Sequence, residues 1–360
     1  MKISIIGAGP VGCYTAYLLA QAGIYVDVYE EHPKIGEPLQ CAGLFTSSIK
    51  KIIQIPDNII INKIIKARIF SPNKKYIEFN FKKENIVVDR IKFDQWLAYK
   101  AKKAGAKIHL NHKFLDYKNK TIVVKYKKAI KKSKTDYLIG ADGPISQVAK
   151  SAHLFGKRNF WTGIQVQAKL KNKNIIEFYP YIGTFAWIIP ENSKIVRIGL
   201  LAKKNSYKIF KKFLNQRLGK NKNILDKQAG LVPIYNRNNK TQKKNIFLVG
   251  DAAGQVKATS AGGVIQGLTA AKCLVNSILK HKNYEKEWRR HLARDLWLHL
   301  QIRNVLDKFR NRDYNLLIYL MNKKKTKKIL ETFDRDYPTK FIFKLILSEP
   351  KLLLFIKKLF

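Results

Sequence analysis

The chain has 360 residues, 46% of them hydrophobic, so it can bury a substantial core and exceeds the size of one typical domain. Lysine and arginine number 70 against 25 acidic residues, a net charge of +45. This charge favours a polyanionic partner: nucleic acid, an anionic membrane surface or a phosphorylated substrate. The lysines are spread along the whole chain, so a general compositional bias explains the charge equally well.

Three cysteines lie far apart and show no C-x-x-C spacing. This pattern predicts a reducing compartment, the cytoplasm, and no metal or iron–sulfur site, so redox chemistry would need an outside electron donor. No stretch reaches the roughly 18 to 20 apolar residues that span a bilayer. Glycines break the apolar N-terminus and no cleavage site follows it, which argues against a signal peptide.

The first 30 residues predict a strand, a glycine turn, a helix and a second strand. Residues 2–6 read KISII, a short and mainly apolar run, residues 10–23 are rich in helix formers, and residues 25–30 read YVDVYE. This order of elements is one βαβ unit.

The turn in this unit is G-x-G-x-x-G, formed by Gly7, Gly9 and Gly12. Gly7 permits the tight turn, Gly9 lets the backbone approach a pyrophosphate, and Gly12 lets helix and strand pack closely. The helix start offers free N–H groups and a positive dipole end to phosphates. Glu30 ends the second strand, where a carboxylate can accept hydrogen bonds from ribose hydroxyls. The unit therefore predicts a dinucleotide site, without separating NAD from FAD.

The middle of the chain predicts two interleaved lobes. Residues 59–88 hold short β-rich pieces, residues 93–104 form a helix, and residues 160–202 alternate as antiparallel strands do. We predict an α/β fold in which a Rossmann-type cofactor lobe is interleaved with a mainly antiparallel β substrate lobe and followed by a C-terminal helical region. The predicted boundaries are residues 1–58, 86–150 and 243–285 for the cofactor lobe, 59–85 and 151–242 for the substrate lobe, and 286–360 for the cationic helical region.

An aspartate turn gives the second cofactor signal. Residues 245–254 read NIFLVGDAAG, so an apolar strand delivers Asp251 to a turn of small residues. A carboxylate there can hold the ribityl or pyrophosphate end of a flavin. A helix is predicted over residues 263–279, and its first N–H groups could face the N1–C2=O edge of a flavin. The residues at this helix start are Gly262, Gly263 and Val264.

These motifs, together with the strand-end turn Asp142-Gly143, resemble the FAD-dependent hydroxylase and reductase superfamily with the para-hydroxybenzoate hydroxylase fold. Within it the chain is similar to archaeal geranylgeranyl reductases over residues 1–285. Four stretches carry the finer match: YEEHPKIGEPLQCAGL (29–44), VDR with FD (88–94), IGTFAWIIP (182–190) and GDAAGQVKATSAGG (250–263). The family pattern in the third is P-x-x-Y-x-W-x-F-P. This chain keeps Trp187 and Pro190 and has Phe185 in place of the tyrosine.

The resemblance implies an FAD-dependent reductase that adds hydrogen across double bonds of geranylgeranyl chains, with a digeranylgeranylglycerol phospholipid precursor as substrate. The sequence does not identify the external electron donor, and NAD(P)H, ferredoxin and a deazaflavin all stay open. By the same resemblance, the residues on or beside FAD are Gly12, Glu30, Cys41, Ala42, Gly43, Arg90, Asp251, Gly263 and Val264.

Three positions have a functional and a plainly structural interpretation. A Cys41 thiol beside a flavin could gate the redox state or deliver a catalytic proton, or it could only pack. Phe185 and Trp187 alternate on a strand and so face one side, as a wall of an isoprenoid tunnel or as sheet core. Arg90 could pair with the cofactor or be a solvated arginine at a helix start.

The C-terminal residues 340–360 interleave apolar residues with lysines. At helical spacing this segment could lie on the anionic inner face of the cell membrane, or it could pack on the body of the protein. Surface binding would suit a substrate that must leave a bilayer.

Other functions stay open at this point. A flavin monooxygenase shares the fold, as does a halogenase, although the halogenase signature W-x-W-x-I-P is missing from FAWIIP. A reductase of a geranylgeranyl diphosphate or a chlorophyll side chain would differ only in head group. A nucleic-acid-binding protein is the alternative from another class, argued from the charge and from YKIFKKF. The chain shows no helix-turn-helix, zinc or RNP signature, so we predict no specific nucleic-acid partner.

Overall fold

Residues 1–219 and 223–359, the part of the chain that the computed structural model describes, contain three sheets and ten α-helices, with short 3₁₀ segments and a 3₁₀ helix at Pro350–Leu359. The strands are β1 (Lys2–Ile6), β2 (Tyr25–Tyr29), β3 (Leu44–Phe45), β4 (Ile60–Phe70), β5 (Tyr76–Val88), β6 (Lys107–His109), β7 (His112–Lys118), β8 (Thr121–Tyr126), β9 (Ala129–Lys134), β10 (Tyr137–Gly140), β11 (Phe160–Lys169), β12 (Ile175–Tyr179), β13 (Phe185–Pro190), β14 (Ile195–Ala202), β15 (Ile224–Pro233), β16 (Gln242–Lys243) and β17 (Ile246–Leu248). The helices are α1 (Pro10–Gln21), α2 (Arg90–Lys103), α3 (Gln147–Ser151), α4 (Ser206–Leu218), α5 (Val264–Leu279), α6 (Tyr284–Trp288), α7 (Arg294–Asp307), α8 (Asn311–Met321), α9 (Lys324–Thr332) and α10 (Ile342–Ser348).

The first sheet has the strand order β16-β17-β10-β1-β2-β6 and is parallel except for the edge strand β16. Its central strands are apolar on both faces because both faces are covered, as parallel sheets require. Helices α1, α2 and α5 pack on one face, and α3 with the small sheet β7-β8-β9 packs on the other. The carboxyl ends of β1, β10 and β17 therefore lie side by side.

The second sheet has the order β15-β11-β14-β13-β12-β4-β5-β3 and is antiparallel except where β12 pairs with β4. Helix α4 covers one face and buries Phe210, Phe213 and Leu214 against it. The two phenylalanines of YKIFKKF thus belong to the core, whereas Tyr207 is exposed. The predicted α/β fold, with a Rossmann-type lobe and an antiparallel lobe interleaved, is confirmed; the residue boundaries of the lobes stay predictions.

The C-terminal helices pack across the second sheet. Ile318 of α8 joins a cluster with Ile77 and Phe79 of β5, and a second cluster buries Leu345, Leu352 and Phe355. Packing on the body is therefore confirmed for one side of residues 340–359. Other apolar side chains of this segment stay in solvent, among them Phe343 (68% exposed) and Leu347 (63% exposed).

No helix in the described ranges is long and apolar enough to cross a membrane. Cys13 and Cys273 are buried in α1 and α5. Helix α2 begins at Arg90, three residues earlier than predicted, because Asp89 caps it by accepting a hydrogen bond from the backbone N–H of Lys92 (3.0 Å).

Candidate cofactor and substrate site

The glycine turn between β1 and α1 has two glycines required by the protein and one that faces open space. Gly7 has φ +100°, and a Cβ there would lie 2.5 Å from the carbonyl oxygen of Ala141. A Cβ at Gly12 would overlap the carbonyl oxygen of Gly7. At Gly9, the N-cap of α1, an added Cβ would meet no protein atom within 4 Å. The turn therefore leaves room in front of the helix start, where a pyrophosphate would bind.

Glu30 lies directly after β2, beside this turn. Its carboxylate accepts hydrogen bonds from the backbone N–H of Ala8 (2.7 Å) and of His32 (3.0 Å). The His32 ring also lies 2.6 Å from Glu30 Oε1. These contacts fix the carboxylate against the glycine turn, at the place where a ribose hydroxyl could reach it.

The aspartate turn after β17 packs directly against the glycine turn. A Cβ at Gly250 or Gly267 would lie 3.1 Å or 2.5 Å from the Val11 side chain, so both glycines make room for Val11 of the G-x-G-x-x-G motif. The structure thus brings Gly7, Gly9 and Gly12 together with Asp251 at one edge of the parallel sheet.

Asp251 faces the start of α5. A Cβ at Gly263, the N-cap of that helix, would lie 2.8 Å from Asp251 Oδ1, and Val264 is the first helical residue. Desolvation raises the pKa of Asp251 to about 6, although Arg90 and Arg158 act in the opposite direction. Within residues 1–219 and 223–359 this carboxylate accepts no hydrogen bond. A desolvated carboxyl group without a partner suits a bound ligand hydroxyl.

The strand-end turn at Asp142-Gly143 stabilises the fold, since the Asp142 side chain is used within the protein. Asp142 accepts hydrogen bonds from the Ser146 hydroxyl (2.6 Å) and from the backbone N–H of Gln147 (2.7 Å), so its carboxylate holds the start of α3. Arg158, which sequence reasoning missed, donates to the carbonyl of Ala252 (2.7 Å) beside Asp251. No motif around Arg158 signals this role.

A buried ion pair supports the loop that contains Cys41, Ala42 and Gly43. Arg197 Nη1 donates to the carbonyl of Ala42 (2.6 Å), and Arg197 Nε donates to Glu191 (2.5 Å). A Cβ at Gly43 would lie 2.5 Å from Arg197 Nη1, so only glycine fits there. Sequence reasoning missed this pair, although an arginine inside the apolar run VRIGLL is the signal that could have found it.

Arg90 is buried, so the interpretation as a solvated arginine is wrong. Its guanidinium holds both carboxylate oxygens of Asp94 at 3.0 Å. Burial alone would lower the pKa of Arg90, but Asp94 and then Cys41 raise it above its ordinary value. Arg90 thus sits beside the Cys41 thiol as a permanent, largely neutralised cation.

A cavity of about 410 Å³ lies between the second sheet and the C-terminal helices. Its wall is mainly aliphatic and aromatic, a composition typical of ligand pockets. Helices α7, α8 and α9 supply part of this wall, in addition to the strands of the antiparallel lobe. The cavity reaches the cofactor turns through Cys41, Ala42, Gly43 and Gly262.

Phe185 and Trp187 of β13 both line this cavity, with ring centroids 5.9 Å apart. The Trp187 indole lies over Gly199 of β14, where any Cβ would overlap the ring. Its Nε1 donates to Gln165 Oε1 (2.8 Å), which satisfies the indole inside the apolar wall. The two aromatic residues therefore form one rigid patch of the wall.

Residues 80–285, more than half of the chain, match the family described as FAD binding domain. The chain belongs to this FAD-binding family. Residues 5–39 match a second family, the NAD(P)-binding Rossmann-like domain. FAD is thus the cofactor, and the open space at Gly9 with the unpartnered Asp251 fits it.

The resemblance to archaeal geranylgeranyl reductases is also confirmed. The chain is 28% identical over 393 residues to the digeranylgeranylglycerophospholipid reductase of Methanocaldococcus jannaschii, covering 99% of this chain and 97% of that protein. It is 28% identical to digeranylgeranylglycerophospholipid reductase 3 of Methanosphaera stadtmanae, covering 96% of this chain and 98% of that protein.

Among solved structures, a geranylgeranyl bacteriochlorophyll reductase-like protein of Thermoplasma acidophilum superposes with a TM-score of 0.84 at 19% identity, covering 100% of this chain and 99% of that one. The flavin-dependent halogenase CmlS superposes with a TM-score of 0.71 at 15% identity, covering 96% of this chain and 76% of its own. These likenesses establish the fold, which reductases and halogenases share.

Proposed function

We propose that this flavoprotein saturates the double bonds of geranylgeranyl chains in membrane lipid precursors, as the names of its relatives say of them. The observation that carries the proposal is the apolar cavity that opens onto the Cys41 loop and Gly262 at the cofactor edge. An isolated alkene has no polar handle, so a dry, shaped wall must align it with the flavin.

FAD, when bound and reduced, supplies the hydride for this chemistry. In the proposal, Gly7, Gly9 and Gly12 admit the pyrophosphate, Glu30 binds the ribose, and Asp251 holds the ribityl end. The flavin ring would lie against the Cys41 loop and the start of α5. The residues proposed for that contact are Cys41, Ala42, Gly43, Arg90, Gly262, Gly263 and Val264.

The remaining residues act on the alkene. Phe185 and Trp187 hold the isoprenoid chain against the wall and exclude water. The Cys41 thiol, at the mouth of the cavity beside Arg90, donates the proton to the second alkene carbon. An external donor, NAD(P)H, ferredoxin or a deazaflavin, restores the reduced flavin.

Mass spectrometry of a digeranylgeranyl lipid incubated with the dithionite-reduced protein tests the proposal. We expect successive gains of two hydrogens per saturated bond, with the flavin reoxidised in step with them. A lipid of unchanged mass, with flavin that stays reduced under anaerobic conditions, would contradict it. A gain of one oxygen in air with NAD(P)H would instead support a monooxygenase.

We also propose that the exposed part of the C-terminal segment binds the anionic inner face of the cell membrane. Phe343, Leu347, Leu353 and Leu354 are exposed there among lysines, as in helices that lie on membranes. Phe343→Ser with Leu347→Ser should weaken sedimentation with vesicles of anionic lipid. Tyr207→Ser, at an exposed aromatic of α4, is the control. Equal sedimentation of all variants would contradict the proposal.

A further inference from the structure

The ionised side chains that line the cavity are all positively charged. They are Lys257, Arg303 and Arg335, and no carboxylate of the described residues lines the cavity. An isoprenoid chain is uncharged and gains nothing from three cations. Cations in an apolar cavity are costly unless an anion accompanies them, so their presence points to an anionic part of the ligand.

Two of these cations have carboxylate partners behind the wall. Lys257 pairs with Asp336, which is 1% exposed. Arg303 lies 2.7 Å from Asp307 and donates to the carbonyl of Thr184 (2.7 Å). Both cations are therefore fixed in place and largely neutralised within the protein.

Arg335 is different. It stacks over the rings of Phe81 and Phe178, with centroid distances of 4.7 and 5.6 Å. Its Nη2 donates to the amide oxygen of Asn85 (3.1 Å). A guanidinium carries five N–H donors, and in the described part of the chain Arg335 makes this one hydrogen bond and no side-chain ion pair.

The carboxylates next to Arg335 in the chain are occupied elsewhere. Asp334 accepts from the Ser48 hydroxyl (2.5 Å), and Asp336 accepts from Thr46 (2.7 Å) and from Lys257. Burial lowers the pKa of Arg335 below its ordinary value, even though both carboxylates raise it. Its charge is therefore under-compensated by the protein.

The three cations belong to one region. His299 and Arg303 lie one turn apart on α7, and the His299 ring contacts Thr259 (2.8 Å) and the carbonyl of Asp336 (3.5 Å). Burial, then Lys257, lower the pKa of His299 to about 3, so this ring is neutral. The contacts join α7, the loop at Lys257 and the segment 334–336 around the cavity.

We propose that this cationic region binds the phosphate ester of the substrate's head group inside the cavity, with Arg335 as the residue that distinguishes a phosphorylated lipid from a neutral one. This inference rests on the proposed function. A guanidinium can offer two parallel hydrogen bonds to a phosphate, and the Phe81 and Phe178 rings hold it ready for them.

Binding to the oxidised, FAD-loaded protein tests the inference without turnover. Trp187 lines the cavity, so its fluorescence can report titrations with geranylgeranyl monophosphate and with geranylgeraniol. We expect the phosphate ester to bind at least about tenfold more tightly than the alcohol. In Arg335→Met this preference should disappear, and in Arg335→Lys part of it should remain. Arg68→Met is the matched control, because Arg68 stacks on Tyr76 (4.7 Å) away from the cavity lining.

Equal affinity of the native protein for both lipids would overturn the inference, and so would an unchanged preference in Arg335→Met. Inorganic phosphate at millimolar concentration should not displace the lipid phosphate; displacement would assign the site to free phosphate instead. If Arg335→Met loses FAD, the inference is tested by two other measurements. They are the ratio of the two lipid affinities in the native protein and the same ratio in Arg335→Lys. A native protein that shows the preference but reduces neither lipid would contradict the proposed function alone.

Discussion

The cofactor edge of the parallel sheet and the cavity beneath the C-terminal helices meet at Gly262, but they are built in different ways. At the cofactor edge, backbone packs on backbone, and Gly7 and Gly12 fit where a Cβ would collide. The cavity is built from side chains of the second sheet and of α7, α8 and α9. The cofactor edge therefore tolerates almost no change at Gly7 or Gly12, whereas the cavity can be remodelled one side chain at a time.

The largest expected effect separates the two kinds of glycine at the cofactor edge. Gly12→Ala places a Cβ on the Gly7 carbonyl, so we expect the free energy of unfolding to fall by about 3 kcal/mol or more and FAD to be lost. Gly9→Ala should change the stability of the FAD-free protein by less than about 1 kcal/mol while weakening FAD binding at least about tenfold. Urea unfolding and flavin titration measure the two quantities. Similar behaviour of both variants would show that the space at Gly9 does not face FAD.

Replacing Asp251 should weaken FAD binding but stabilise the FAD-free protein at neutral pH. Replacing it by Ala or Asn should release FAD, because the carboxyl group would hold the ribityl end. Its folded-state pKa of about 6 lies above the ordinary 3.8, so the folded protein binds the proton more tightly than the unfolded chain. The FAD-free native protein therefore loses stability as the pH rises from about 4 to 6, and above that window it should be about 3 kcal/mol less stable than Asp251→Asn.

Urea unfolding of FAD-free native protein and Asp251→Asn at pH 4.5 and pH 8 checks this sign. Asp57→Asn is the control, since the Asp57 side chain is 88% exposed. A constant difference between the two pH values would mean that the Asp251 carboxyl is well solvated. Retention of FAD by Asp251→Ala would place the ribityl site elsewhere.

The same contrast explains what could be predicted from the sequence. The glycine and aspartate turns were predictable because each depends on a strand, a turn and a helix start that are adjacent in the chain. The cavity depends on contacts between distant residues: Arg335 meets Asn85 across 250 positions, and Arg197 meets Ala42 across 155. The alternation of apolar residues and lysines after residue 340 indicated a buried face, but not the surface that would cover it.

Cys41 lies where the cofactor edge and the cavity join. If the thiol donates the proton, Cys41→Ala should keep FAD and lower alkene reduction about a hundredfold, measured by single-turnover reoxidation of reduced flavin by lipid. Cys273→Ala is the matched control, because Cys273 is buried in α5 away from the cavity lining. Unchanged turnover in Cys41→Ala would show that the thiol only packs.

The smallest expected effect is at Trp187, in the wall that tolerates change. Trp187→Ala removes an aromatic surface from the cavity, so we expect lipid affinity to fall about tenfold and FAD affinity to stay the same. Trp187→Phe should lose less, because a ring remains over Gly199 and only the hydrogen bond to Gln165 disappears. Competition against a fluorescent lipid measures these affinities without relying on the Trp187 signal.

Trp297→Ala, at an exposed position of α7 (39% exposed), is the control for loss of an indole. If Trp187 were only sheet core, Trp187→Ala would lower the free energy of unfolding and leave the lipid dissociation constant unchanged. If Trp187 is a wall residue, Trp187→Ala should raise the lipid dissociation constant and leave the free energy of unfolding nearly unchanged. The ring then faces the cavity, so its loss removes contacts mainly from the ligand. The ratio of the two effects therefore distinguishes a substrate wall from a core, which the alternation of Phe185 and Trp187 along β13 cannot do.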